Sequence, residues 1–266
     1  VWFSWIAETF WHFPCCDTVQ KENLMQHKFW KMSIVAGAIA AVNGADTANA
    51  ATAIGSVVAV IGDASASGPG GNRGLSAGVE VFEGDSISVT GNGNAQLKLD
   101  DGTKIVVGPD SNLVLQSYLR RNETTASTVS LKALRGTYRF ITGKSPKQAY
   151  AVNTSNATIG IRGTGFDFSV SDRTYVAVMS GGITMQGANG QTVDVSAGCG
   201  LGQAGNSVAA ALLRGKAKGQ ALVEELPYIL DQTPLQSQFF LAVGDCDKFL
   251  PPNISKPKRP KAGSPG

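Results

Sequence analysis

From Ala51 onward, for about 150 residues, apolar and polar side chains alternate with a period of two, and glycines interrupt the alternation every eight to twelve residues or so. A period of two places one set of side chains on one face of a strand, so this stretch buries its apolar set as β-sheet. Ile54, Val57, Val58 and Val60 open the pattern; Val79 and Val81, then Ile87 and Val89, follow it; Ala95, Leu97 and Leu99 alternate with Gln96, Lys98 and Asp100. Asp100, Asp101, Gly102 and Thr103 separate that strand from one at Lys104 to Val107, and the pair reads as a hairpin in which Asp-Gly supplies the positive φ angles. Gly91, Asn92, Gly93 and Asn94 read as a further hairpin turn, as do Asn189 and Gly190. Strands are also expected over Leu113–Leu119, Val129–Leu134, Thr137–Ile141, Ala149–Val152, Phe166–Val170, Tyr175–Met179, Ile183–Gln186 and Thr192–Val195. No helical period falls between them. The expected fold class is all-β, a multi-stranded antiparallel sandwich or roll, with a short β-solenoid as the rival arrangement and a small helical C-terminal appendage.

The appendage begins after Ser207, where the periodicity changes. Ala209–Leu213, Ala221–Leu230 and Leu235–Ala242 have helical spacing, broken by Gly215, Gly219, Pro227 and Pro234, which predicts one to three short helices packed on the β body. From Pro251 the chain is Pro, Lys, Gly and Ser, the composition of a disordered basic tail.

The N-terminal side carries an export signal. Gln26 to Met32 is a short basic segment, Ser33 to Val42 an apolar run, and Ala48, Asn49, Ala50 an A-x-A site, so cleavage after Ala50 is expected. The apolar run is about half the ~20 residues that a membrane span requires. A buried core helix is the alternative for a run of this length. The expected organisation is a non-native upstream extension over 1–24, a signal peptide over 25–50, a β domain over 51–205, a helical segment over 206–250 and a tail over 251–266.

Charge excludes one class of partner. The chain is 42% hydrophobic and 16% charged, with a formal net charge of +3, but Lys248, Lys256, Lys258, Arg259 and Lys261 all lie in its last nineteen positions. Ala51 to Asp247 contains 15 basic and 16 acidic residues, which leaves no basic face for nucleic acid. The chain's two histidines, His12 and His27, precede the cleavage site, so Ser-His and Cys-His catalysis and most zinc sites are closed to the mature chain. Of four cysteines only Cys199 and Cys246 would survive cleavage; in an oxidising compartment they can form one disulfide, two buried free thiols being the alternative.

With these residues in view, the sequence resembles the FecR domain family. Gly78, Val79, Val81, Glu83, Gly84, Asp85 and Ile87, followed by Ala95, Leu97, Leu99, Asp101, Gly102, Thr103, Ile105 and Val107, resemble the family's first half, a Gly-Asp before a strand and a later Asp-Gly-Ser/Thr hairpin. Leu131, Gly136, Thr137 and Phe140, then Ala151 to Phe166 with Gly160, Arg162, Gly163 and Thr164, then Val176, Val178, Gly181 and Ile183, resemble its second half. The likeness extends over about residues 54 to 200. It implies an all-β extracytoplasmic module. The founding members relay a signal from an outer-membrane receptor to a sigma factor, using a cytoplasmic anti-sigma segment and a transmembrane helix that do not match anything in this sequence. The resemblance therefore implies a stand-alone recognition or scaffolding unit.

Several residues invite a stronger reading. Arg162, Gly163 and Thr164 suit carboxylate or phosphate recognition, but their order is also what a tight β corner needs, with Arg162 bonding backbone carbonyls. Gly160 to Thr164 lacks the lysine and following helix of a phosphate loop. Asp100 and Asp101 lie in a turn, Asp167 points opposite to Phe166 and Phe168, and Glu224 and Glu225 fall on a helix, so they read as solvated acids and not as a glycosidase pair. Lys-assisted serine chemistry stays formally open, through Lys144 and Ser145 for example.

The function expected is that of an exported bacterial protein without catalytic residues, cofactor or metal, binding an envelope protein or a surface glycan through exposed strand edges and loops in the periplasm or outside the cell. Self-association as a surface component and a part in receptor signalling are the alternatives. The mature chain is expected to contain no transmembrane span.

Overall fold

A computed structural model describes residues 51–254. The expected signal peptide, the cleavage site expected at Ala48 and Ala50, the expected upstream extension and most of the expected basic tail lie outside the described residues. Thirteen strands appear in chain order: β1 (Ala53–Ser67), β2 (Arg73–Gly74), β3 (Glu80–Phe82), β4 (Ser86–Leu99), β5 (Lys104–Val107), β6 (Asn112–Asn122), β7 (Thr125–Ile141), β8 (Tyr150–Asn153), β9 (Ala157–Val170), β10 (Arg173–Gly187), β11 (Thr192–Ser196), β12 (Gly200–Gly205) and β13 (Ala211–Leu212). They are followed by two short helices, α1 (Gly215–Glu224) and α2 (Pro227–Leu230), and by 3-10 turns at Ser237–Phe239 and Gly244–Phe249. The fold is all-β, and every pairing but the parallel β7–β8 contact is antiparallel, which excludes the parallel coils of a solenoid.

Five long strands define the architecture because each sends its two halves to different neighbours. The first half of β4 pairs with β6 and its second half with β5. The first half of β7 pairs with β8, and its second half with β5 and β9. The second half of β10 pairs with β11 and its first half with β12, while β9 runs beside β10 throughout and β1 beside β4. Two layers result, the first from β6, β8, β11 and the halves of β4, β7, β9 and β10 beside them, the second from β5, β12 and the other halves of the same bent strands. β4, β5, β7 and β6 close a small ring between them. The inward sets of both layers meet in one core. Ile87, Leu113, Leu131, Val152, Ile159, Ile183 and Val195 come from the first layer, and Ile105, Tyr138, Phe140, Phe166, Phe168 and Val178 from the second.

These bends correct the sequence reading. Gly91 to Asn94 is not a hairpin turn but an irregularity within β4, and Gly136, Gly163 and Gly181, which the sequence reading placed between separate strands, lie inside β7, β9 and β10. A residue at positive φ redirects a strand without ending it when the ladder resumes on the other side, as a bulge does. Gly136 shows why a side chain is excluded: its φ is 106°, and a Cβ there would stand 2.5 Å from the Cα of Ser111. The turns at Asn189–Gly190 and Asp100–Thr103 are true hairpin connections, although in each only the glycine is left-handed, Gly190 at φ 80° and Gly102 at φ 86°.

The outer faces of the layers differ. Outside the second layer, Val106, Ala177, Met179 and Leu201 are covered by the C-terminal segment through Leu222, Leu226, Tyr228, Ile229, Leu235, Phe239 and Val243. This is the covered layer. The disulfide Cys199–Cys246, with Cα atoms 5.2 Å apart, ties the last 3-10 turn to the start of β12. Outside the first layer no element packs among the described residues, and we call it the open layer.

Candidate functional site

The open layer carries rows of small hydroxyl and amide side chains fixed by strand register. One row runs Lys132, Asn153, Thr158, Gln186, Thr192 across β7, β8, β9, β10 and β11; the next runs Ser130, Ala151, Gly160, Thr184, Asp194. Toward β1 the same face continues through Ser86 with Ser67 and Ser88 with Ser65. The side chains hold one another. Asn153 Nδ2 lies 3.3 Å from Gln116 Oε1, Thr158 Oγ1 donates to Asn153 Oδ1 at 3.3 Å, Thr184 Oγ1 donates to Asp194 Oδ1 at 2.7 Å, and Asn112 Nδ2 donates to Ser88 Oγ at 2.7 Å. A face whose donors and acceptors are already oriented loses little side-chain entropy on meeting a partner. β11 ends this layer: it pairs only with β10, so its far edge carries no strand among the described residues.

The family-motif residues straddle this face and the bend beneath it. Gly163 takes φ 85° at the corner of β9, and Phe166 beyond it is fully buried in the core. Arg162 is exposed and pairs with Asp194 at 3.1 Å, a carboxylate partner in place of the backbone carbonyls expected for it. Gly160 lies in the second row beside Ala151, where the absence of bulk leaves the face shallow.

Three acids are buried, and for two of them, Asp101 and Asp167, this contradicts the reading as solvated turn or surface groups. Asp101 is fully buried in the β4–β5 connection: Thr103 Oγ1, Ser145 Oγ and Tyr150 OH donate to its carboxylate at 2.9, 2.7 and 2.8 Å, and the Thr103 amide at 3.0 Å. A buried carboxylate persists only when its lone pairs are met, and here four donors meet them. Burial, with the Asp101 charge beside it, pushes the Tyr118 phenol up to about 12, and burial raises Tyr150 as well. Ser145 is committed to Asp101 while Lys144 is exposed, so the two form no Lys-assisted pair. Asp85 is buried against Arg73, whose guanidinium also stacks 4.9 Å from the Phe82 ring.

Asp167 is the third. It points outward from the covered layer, opposite to Phe166 and Phe168, and pairs with Arg139 directly across from it on β7. All five guanidinium N–H groups of Arg139 are used: two on Asp167 at 2.6 and 2.7 Å, the others on the Phe239 carbonyl at 3.1 Å, the Tyr228 carbonyl at 3.2 Å and the Gln232 side-chain oxygen. Gln96 acts likewise, donating to the Pro234 carbonyl at 3.1 Å and accepting from the Gln236 amide at 2.7 Å. Two polar side chains of the sheet thus bind the C-terminal segment down. The remaining weighed acids are dispersed, with Asp100 on Arg120 and Glu225 on Ser169. Among the described residues no three His, Cys, Asp or Glu side chains gather as a metal site would require, and no helix is long and apolar enough to cross a membrane.

A family model described as FecR protein matches residues 85–184. Those residues form a FecR domain. The FecR domain starts at the buried Asp85, includes the Asp101 cluster and the ring of β4 to β7, and ends within β10 at Thr184 of the open face. Its span is narrower than the 54–200 over which the sequence resembles the family. β1 to β3, the last strands and the C-terminal cover lie outside it. No curated protein matches the chain. Two crystal structures of a candidate anti-sigma factor from Parabacteroides distasonis, solved at 1.65 and 2.50 Å, are similar to it at 14% and 15% identity, both with a TM-score of 0.39. The similarity covers 52% of this chain and 63% and 64% of theirs, so the chain spans less than two thirds of the length of these neighbours.

Proposed function

We propose that this FecR-domain chain is an exported, non-catalytic binding or scaffolding module that meets an envelope protein or a surface glycan on its open layer. The asymmetry of the two layers carries the reading. One face is closed by the chain's own C-terminal segment, while the other presents oriented hydroxyls and amides that no element among the described residues covers. Apart from Lys132 and the Arg162–Asp194 pair the two rows are uncharged, so a partner meets hydrogen-bonding groups without a large field to desolvate. Signal peptide and disulfide both accord with an oxidising compartment.

Export is tested by cell fractionation with N-terminal sequencing. The protein is expected outside the cytoplasm beginning at Ala51; a cytoplasmic protein that begins upstream of Met25 contradicts it.

The unpaired edge of β11 favours one second reading, self-association by strand addition. Thr192, Asp194 and Ser196 line that strand outward, and a two-fold pairing of two such edges would extend the open layer across a dimer. Size-exclusion chromatography over a range of concentrations separates the readings: a mass that doubles with concentration supports the dimer, and a constant monomer leaves the edge to another partner.

A further inference from the structure

Between α1 and the segment after the last 3-10 turn lies a cavity of about 620 Å³, within the range of sites that take small ligands. Its half-buried floor is apolar, formed by Val223, Phe249, Pro251 and Ile254, and its exposed rim carries Lys216 and Lys248 with Glu224 as the one acid. The walls are built to stand close: a Cβ on Gly219 would come within 2.2 Å of the Phe249 carbonyl oxygen, so only glycine lets the segment lie against the helix. Lys218 places its ammonium 3.3 Å from the centre of the Phe249 ring, with Lys248 at 5.5 Å on the same ring. Burial first, and then the nearby Lys248 charge, lower the Lys218 pKa.

Charge is segregated to this end of the chain. No acid occurs in the first turn of α1, and none follows Asp247, whereas Lys256, Lys258, Arg259 and Lys261 do. The acids that face the cavity's lysines are Glu224 on its wall and Asp245, which lies 3.6 Å from Lys248. An apolar floor under a cationic rim fits a molecule with a hydrocarbon part and an anionic head. A neutral apolar ligand has no use for the rim.

We propose that this cavity docks the chain on a bilayer surface, taking the acyl chain of an anionic phospholipid with its phosphate on Lys216 and Lys248. The site is separate from the open layer and does not depend on which partner that layer binds. A lipid-headgroup interaction of this kind weakens with salt, whereas the acyl contact does not.

Flotation with phosphatidylcholine vesicles, with and without phosphatidylglycerol, tests it on the protein as processed and purified from its host. Binding is expected only to the anionic vesicles, falling at least tenfold for Lys216→Glu with Lys248→Glu, both exposed positions, and also for Val223→Trp, which fills the cavity. Circular dichroism of each variant keeps loss of binding separate from loss of fold. Failure to bind either vesicle, or equal binding to both, would overturn the proposal. So would binding that ignores the cavity variants and disappears when Lys256, Lys258, Arg259 and Lys261 are neutralised, because the tail alone would then account for it. Retention on an anionic polysaccharide that responds to the charge reversals and not to Val223→Trp would also overturn it.

Discussion

Arg139 and Asp167 face each other across β7 and β9, both fully buried, and their ion pair joins the sheet to the segment that covers it. A buried pair contributes little net stability over an apolar replacement, but removing one partner strands the other without water. Arg139→Met is therefore expected to cost about 3–5 kcal/mol, while Arg139→Met combined with Asp167→Leu recovers much of that loss. Urea unfolding midpoints of the two singles and the double read the difference. Additive losses would show that the pair is not the unit described here.

The Cys199–Cys246 disulfide spans 47 residues of sequence and closes the same cover. On the chain-entropy model its removal by Cys199→Ala with Cys246→Ala costs about 3–4 kcal/mol. The local effect is predicted to exceed the global one: limited proteolysis should cut first between Gly215 and Phe249 in the variant and leave the sheet intact. Cleavage that begins in the β4 to β7 ring would contradict this.

Asp101 accepts from three hydroxyls, so Asp101→Ala leaves Ser145 and Tyr150 without their acceptor in a buried site. The expected loss is about 2–4 kcal/mol, with Asp101→Asn losing less because it keeps one acceptor oxygen. Thermal unfolding of both variants checks the order.

Alkaline pH offers a test that needs no mutation. Tyr118 is raised to about 12, and burial also raises Tyr138, Tyr150 and Tyr228. A phenol whose folded pKa lies above its ordinary value of 10.0 stabilises the fold fully below that pH, and the contribution is lost as pH rises through the folded value. Urea midpoints should stay level to about pH 10 and fall toward pH 12, with tyrosinate absorbance appearing alongside unfolding. Tyrosinate from all of these phenols at pH 10 in an intact fold would contradict the burial.

The sequence made the β class legible through period-two alternation, and Asp-Gly-Thr marked a hairpin because that turn is local chemistry. What it concealed were long-range facts. Gly91, Gly136, Gly163 and Gly181 have the same local signature whether a strand ends or bends, and only the pairing partners decide. Asp101 and Asp167 look like solvated acids because the groups that bury them, Tyr150 and Arg139, stand 49 and 28 residues away. Arg139 gave one signal that could have been read: it occupies an outward position on a strand whose inward neighbours are Tyr138 and Phe140, next to a chain with more apolar C-terminal residues than a free tail needs. The open face was legible only as polar outward positions, since its rows exist through register across five strands.

The open layer as a binding face is tested most directly by site-specific photocrosslinking in intact cells, with the crosslinking residue at Thr158, at Gln186, or at Glu123 in the exposed β6–β7 hairpin. An adduct of one discrete size is expected from Thr158 and Gln186 and none from Glu123. No adduct at the two open-layer positions, or the same adduct at all three, would contradict it.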